Sequence, residues 1–134
     1  MNLSPSLRSG LLEVLRRVPG MELAVVFGSM AEGRAQALSD LDIAVSAGDR
    51  ALTVEEKTML IAGLAGCTGR PIDLIDLHEA GEPLLGEVVR QGQRIWGSDA
   101  AYGRLLSRHL FEQADFLPYR ERILAQRRAA WIGS

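Results

Sequence analysis

Asp40 and Asp42, two acids one residue apart, follow a Gly28-Ser29 pair with ten residues between. Gly28-Ser29 closes the apolar run Ala24-Val25-Val26-Phe27, and Asp40-Leu41-Asp42 opens another that continues Ile43-Ala44-Val45. In a strand, residues i and i+2 share a face. Asp40 and Asp42 therefore project together, while Leu41, Ile43 and Val45 project to the other side. The segment Ile72-Asp73-Leu74-Ile75-Asp76 repeats the pattern. Asp73 points away from Ile72 and Leu74 and can join the first pair if the two strands are neighbours, about 4.8 Å apart. Asp76 is the rival, but it points to the opposite face, so parity favours Asp73.

Carboxylates gathered on one sheet face repel, and without a counter-charge at least one has its pKa raised. Divalent cations remove that conflict, and oxygen ligands beside phosphates favour Mg²⁺. Two such ions, about 3.5–4 Å apart, clamp the attacking and leaving oxygens of an in-line displacement at phosphorus. The Gly-Ser turn complements this chemistry. Glycine lets the backbone approach a phosphate closely. Ser29 can offer its hydroxyl and its backbone N–H to a phosphate oxygen. If Met30 opens a helix, its free N–H groups also favour an anion. The glycine-serine end would hold the outgoing phosphates, and the aspartate end the metal and the nucleophile. Each motif alone is common, and the plain alternative is two ordinary turns and a polar strand face. Their combination on predicted strands gives the constellation its weight.

The elements that must position these residues are legible in the periodicity. Residues 4–18 read as an amphipathic helix (Leu7, Leu11, Leu12, Leu15, Val18) stopped by Pro19-Gly20. Glu22 to Phe27 is a strand, and Met30 to Ala35 a short helix. Asp40 to Ala47 is the second strand. Residues 53–66 form a helix with Thr53 as N-cap and Glu56 completing a capping box. Pro71 to Leu77 is the third strand. Pro83 to Gln91 is a helix with proline in its first turn, and Arg94 to Trp96 a short edge strand. Ser98 caps a helical stretch to about Arg128, interrupted at Pro118. The order predicts an α/β (α+β) fold, a small mixed sheet flanked by helices on one or both faces.

The 134 residues suit one domain, 1–134. A hydrophobic fraction of 47% argues against disorder. A formal net charge of -2 gives no sign of direct nucleic-acid binding. Residues 1–100 carry nine basic and fourteen acidic side chains, and residues 101–134 six basic and three acidic. That tail reads either as a solvated helix face or as a docking surface, with residues 98–130 the expected partner-binding element. Cys67, the single cysteine, cannot form an internal disulfide and reads as inert packing. With no membrane-length apolar run and no signal-peptide layout, the chain is expected to be cytoplasmic. His78 and His109 read as structural or solvated, and Arg104, Arg108, Arg120 and Arg122 as solvated or, alternatively, as contacts to an acidic partner surface or to nucleotide phosphates. Trp96 and Trp131 read as packing residues. The stripe Tyr102, Leu106, Leu110, Phe111, Ala114 and Leu117 reads as packing on the sheet or as a partner interface.

Gly28-Ser29, the spacer, Asp40-x-Asp42 and the later Asp73 resemble the DNA polymerase beta-like nucleotidyltransferase superfamily. The likeness is greatest to its minimal nucleotidyltransferase branch, the MntA-type antitoxins of HEPN/MNT toxin–antitoxin pairs. The resemblance extends over about residues 20–130. It implies the polymerase beta-like fold with a C-terminal helical extension, ATP as substrate, and Mg²⁺, two ions expected. Asp40, Asp42 and Asp73 would be the catalytic and metal-holding residues, and Gly28, Ser29, Arg34 and Ser39 the nucleotide-binding ones. The implied reaction moves AMP to a tyrosine hydroxyl of a partner HEPN-type toxin and so silences it. Where the family often has Ala-Arg-Gly, this chain has Ala31-Glu32-Gly33, an acid near the expected phosphate site for which Arg34 can compensate. Two other functions fit the same residues: an antitoxin that neutralises by covering its partner, and an enzyme acting on an aminoglycoside-type small molecule.

Overall fold

Ser4 accepts the Leu7 amide at 3.2 Å and Pro5 fills the first helical position, so α1 starts there and runs Pro5–Leu15. The structure, a computed structural model, describes residues 3–28 and 39–114. The remaining elements are β1 (Leu23–Phe27), β2 (Leu41–Ser46), α2 (Val54–Thr68), β3 (Ile72–Asp76), α3 (Leu84–Gln91) and β4 (Gln93–Trp96). A fourth helix, α4, occupies 99–114. The sequence reading placed these elements to within a few residues. The expected helix at Met30 to Ala35, the break at Pro118 and the stretch to Arg128 lie outside the described residues.

Local chemistry accounts for the helix ends. The Thr53 and Glu56 box forms as expected, with each side chain bound to the other's backbone N–H at 3.1 and 2.9 Å. Gly69, at φ +67°, closes α2 in the left-handed region and donates to Ala65. Ser98 accepts the Ala101 amide at 3.1 Å at the start of α4.

The sheet is mixed, in the order β3-β2-β1-β4. β1 is antiparallel to β2 and β4, while β2 and β3 run parallel. Helices cover both faces. On one, Leu11, Val14, Leu15, Leu60 and Leu64 pack on Ala24, Val26, Leu41, Ile43 and Val45. On the other, Leu85, Val88, Ala101 and Leu105 pack on Leu23, Val25, Phe27 and Ala44. All five residues of β1 are buried, as a strand covered on both sides requires.

Two expectations about side chains, those for Arg108 and Cys67, are corrected. In α4, Ala101 and Leu105 are buried in the core with Leu85 and Val88, Tyr102 of the expected stripe packs against them, and His109 is buried one turn on. Leu110 and Phe111 are 64% and 73% exposed, which leaves these two to the interface alternative. His109 can be buried because Glu82 pairs with its Nδ1. Arg108 is not simply solvated: its guanidinium donates to the carbonyls of Leu77 and Ala80 and ties α4 to the segment after β3. Arg104 pairs with Glu22 on an exposed site. Cys67 is exposed, its thiol donating to the Gly63 carbonyl at 3.1 Å, so it is not packing material. Trp96 packs as expected and donates to the Met21 carbonyl at 3.1 Å.

Candidate active site

Asp42 stands in the second position of β2, opposite Phe27 of β1 on one side and Asp73 of β3 on the other. That register is set by the apolar residues. Leu41, Ile43, Ile72 and Leu74 all turn to the α1/α2 face. The residues between them, Asp42 and Asp73, must then point together to the other face. Asp42 is half-buried and Asp73 exposed. Asp40 lies one residue before the strand and is exposed.

Gly28 follows β1 at φ +73°, a conformation that side-chain-bearing residues adopt at a cost. A Cβ built on it would run into the Asp42 carboxylate. Glycine is thus required here twice, for the bend and for the space that the carboxylate occupies.

The electrostatics follow from this crowding. The Asp42 carboxyl is pushed up from 3.8 to about 6, first by burial, then by the charge of Asp73 and a hydrogen bond with it, and then by Asp40 and by Glu87 of α3. Every charge that shifts it is negative. Two carboxyl groups in this arrangement share a proton or need a cation. The donors are hard oxygens, the set that suits Mg²⁺. Among the described residues, no three His, Cys, Asp or Glu side chains are drawn close enough to hold a metal ion together. The structure brings Asp42 and Asp73 into contact, and the charge of Asp40 acts on Asp42.

Asp76 sits on the opposite face, as parity requires, and is buried. Its carboxylate accepts the Leu52 amide at 2.8 Å and the His78 amide at 3.0 Å, pinning the turn before α2 to the end of β3. Each bond to a charged acceptor contributes about 1.5–3 kcal/mol. Asp76→Ala is therefore expected to lower stability by about 3 kcal/mol or more, read as a shifted urea midpoint, while activity per folded molecule persists. Asp73→Asn should show the reverse pattern.

The Ser39 carbonyl accepts from Arg70 at 3.0 Å just ahead of Asp40. Ser29, Glu32 and Arg34 lie outside the described residues. Sequence reasoning missed Arg70 and Glu87. Arg70 reaches a carbonyl 31 positions away, a contact with no local signature. Glu87 is one acid among several on a short helix, and only the packing of α3 over β1 brings its charge to bear on Asp42. A cleft of about 420 Å³ opens at the far end of the sheet, lined by Glu22, Ser46, Asp49, His78, Arg104 and Arg108 among others. It is four positions along β2 from Asp42, about 13 Å at strand spacing. The α3/α4 core lies between, so the cleft is not part of the carboxylate site.

Residues 10–101 match the family described as Polymerase beta, Nucleotidyltransferase. A protein adenylyltransferase MntA of Shewanella oneidensis is 35% identical over 89 residues, which make up 66% of this chain and 63% of that relative's length. A crystal structure of a toxin-antitoxin with AMP-PNP contains a chain that superposes with a TM-score of 0.79 at 28% identity, over 89% of this chain and 96% of the other. A structure of a tri-AMPylated Shewanella oneidensis HEPN toxin in complex with an MNT antitoxin gives 0.74 at 26% identity, over 90% of this chain and 94% of the other. The observed mixed sheet, the acids paired across β2 and β3 and the glycine bend over them agree with the matched region, and the chain belongs to the polymerase beta nucleotidyltransferase family.

Proposed function

We propose that this chain is an antitoxin that transfers AMP from ATP to a tyrosine hydroxyl of a partner HEPN-type toxin. The observation that carries the reading is the Asp42–Asp73 pair, aligned across parallel strands beneath the Gly28 bend. The relatives' AMP-PNP complex and AMPylated partner support the substrate and the acceptor. Asp42 and Asp73, with Asp40 beside them, would hold Mg²⁺, which supplies charge neutralisation on the triphosphate when bound. Asp73, the exposed member of the pair, would take the acceptor proton. Gly28 lets the backbone bend directly against the Asp42 carboxylate, which would bring a phosphate held at that bend next to the acids. Gly28, Ser29, Arg34 and Ser39 form the proposed nucleotide-binding set. In the reaction, the acceptor oxygen bonds to the α-phosphorus, the bridge from the α- to the β-phosphate breaks, and pyrophosphate leaves.

The test is transfer of label from α-labelled ATP to the partner toxin, followed by intact-mass measurement. A mass gain of whole AMP units on the toxin is the expected result, and an unmodified toxin in a stable complex would overturn the reading.

The raised Asp42 carboxyl adds a pH prediction. A carboxyl lifted above its unfolded value stabilises the fold while protonated. That contribution is whole below pH 3.8 and is lost as pH climbs through about 6. Mg²⁺ competes with the same proton. Its rise in melting temperature should be clearly larger at pH 7.5 than at pH 5, and an equal rise at both would argue against binding at Asp42.

A further inference from the structure

We infer that Arg70 is a positioning residue for Asp40, an inference that rests on the nucleotidyltransferase reading above. Pairing between β2 and β3 begins at Leu41 opposite Ile72, so Asp40 lies outside the ladder. Two contacts straddle it. The Leu41 amide donates to the Pro71 carbonyl at 2.9 Å, and the Arg70 guanidinium donates to the Ser39 carbonyl at 3.0 Å. Arg70 and Pro71 thus grip the chain immediately before and after Asp40.

Arg70 is itself held in place. Gly69 reverses the chain at the end of α2, and the Arg70 amide donates to the Thr68 hydroxyl at 3.1 Å. The hydroxyl of Thr68 in turn donates to the Leu64 carbonyl at 2.8 Å, which anchors the turn to α2. Arg70 is half-buried and lies two residues before β3, the strand that carries Asp73. One short turn therefore sets the position of Asp73 through the strand and of Asp40 through the side chain. Loss of the Arg70 contact would release the Ser39 carbonyl just ahead of Asp40 and let Asp40 shift relative to Asp42.

Groups that orient a metal-holding carboxylate are commonly worth 10- to 100-fold in metal affinity or activity. Arg70→Ala should therefore weaken Mg²⁺ binding, measured by calorimetry on the free protein, by about tenfold or more. It should lower kcat more than it raises KM for ATP. Amide hydrogen exchange at Leu41, whose N–H donates to Pro71, should accelerate about tenfold or more, the loss expected for one hydrogen bond to a charged donor, while Val45 in β2 keeps its protection. Arg70→Lys, which retains a donor on a long stem, should recover part of each effect.

Wild-type Mg²⁺ affinity and unchanged exchange in Arg70→Ala would overturn the inference. So would exchange that rises equally at Val45, because that would mean general loosening of the sheet. If the wild-type protein labels no partner at all, the AMP-transfer reading fails on its own. Calorimetry and exchange still decide the role of Arg70 in that case.

Discussion

Asp42→Asn is expected to reduce AMP transfer about 1,000-fold or more, while leaving the free protein as stable as wild type or more so at pH 7.5. The two halves of this result have one cause. Asp42 is the half-buried member of the cluster, and its surroundings are all negative: Asp73, Asp40 and Glu87. An amide there keeps the shape and removes the repulsion, so the fold gains. The proposed cation loses its central ligand, and several kcal/mol of transition-state stabilisation disappear with it. At 1.36 kcal/mol per factor of ten, about 4 kcal/mol corresponds to the stated loss. Single-turnover labelling of the toxin and thermal melts in EDTA make the comparison. A variant that transfers AMP at more than a tenth of the wild-type rate would remove Asp42 from the chemistry.

Gly28→Ala should be nearly as damaging to activity and should harm the fold as well. The residue sits at φ +73°, and a Cβ there would collide with the Asp42 carboxylate. Backbone strain of this kind costs about 1–3 kcal/mol. Relief requires either the bend or the carboxylate to move, and a displacement near 1 Å in such a site costs about a hundredfold in rate. The informative variant is the double substitution, Gly28→Ala with Asp42→Gly. Removing the carboxylate should restore much of the lost melting temperature without restoring transfer. If Gly28→Ala alone retains full activity, the close approach has no functional consequence.

Much of this site is legible in the sequence because period-two alternation is a strong signal. Leu41-Asp42-Ile43 and Ile72-Asp73-Leu74 leave one arrangement that buries the aliphatic residues, and that arrangement pairs the acids. The capping box at Thr53 and the glycine stop at Gly69 are local and equally readable. Side-chain partners distant in sequence are not. Asp76 reveals by parity that it leaves the site, but nothing near it announces the Leu52 amide, 24 positions away. The C-terminal helix shows the limit of apolar counting. Leu106, Leu110 and Phe111 look like a packing stripe, yet the residues of α4 that are buried are Ala101, Leu105 and His109. Hydropathy leaves His109 open between a structural and a solvated place, and its pairing with Glu82 is what permits burial.

The alignment of β3 on β2 carries one more implication. Were the edge strand to slip by a single position, Ile72 or Leu74 would meet Asp42 and be thrust outward, and Asp73 would be driven into oil. Misregistered chains would thus lose core and catalytic centre in the same stroke. A molecule that has folded at all has already proofread its own reactive geometry.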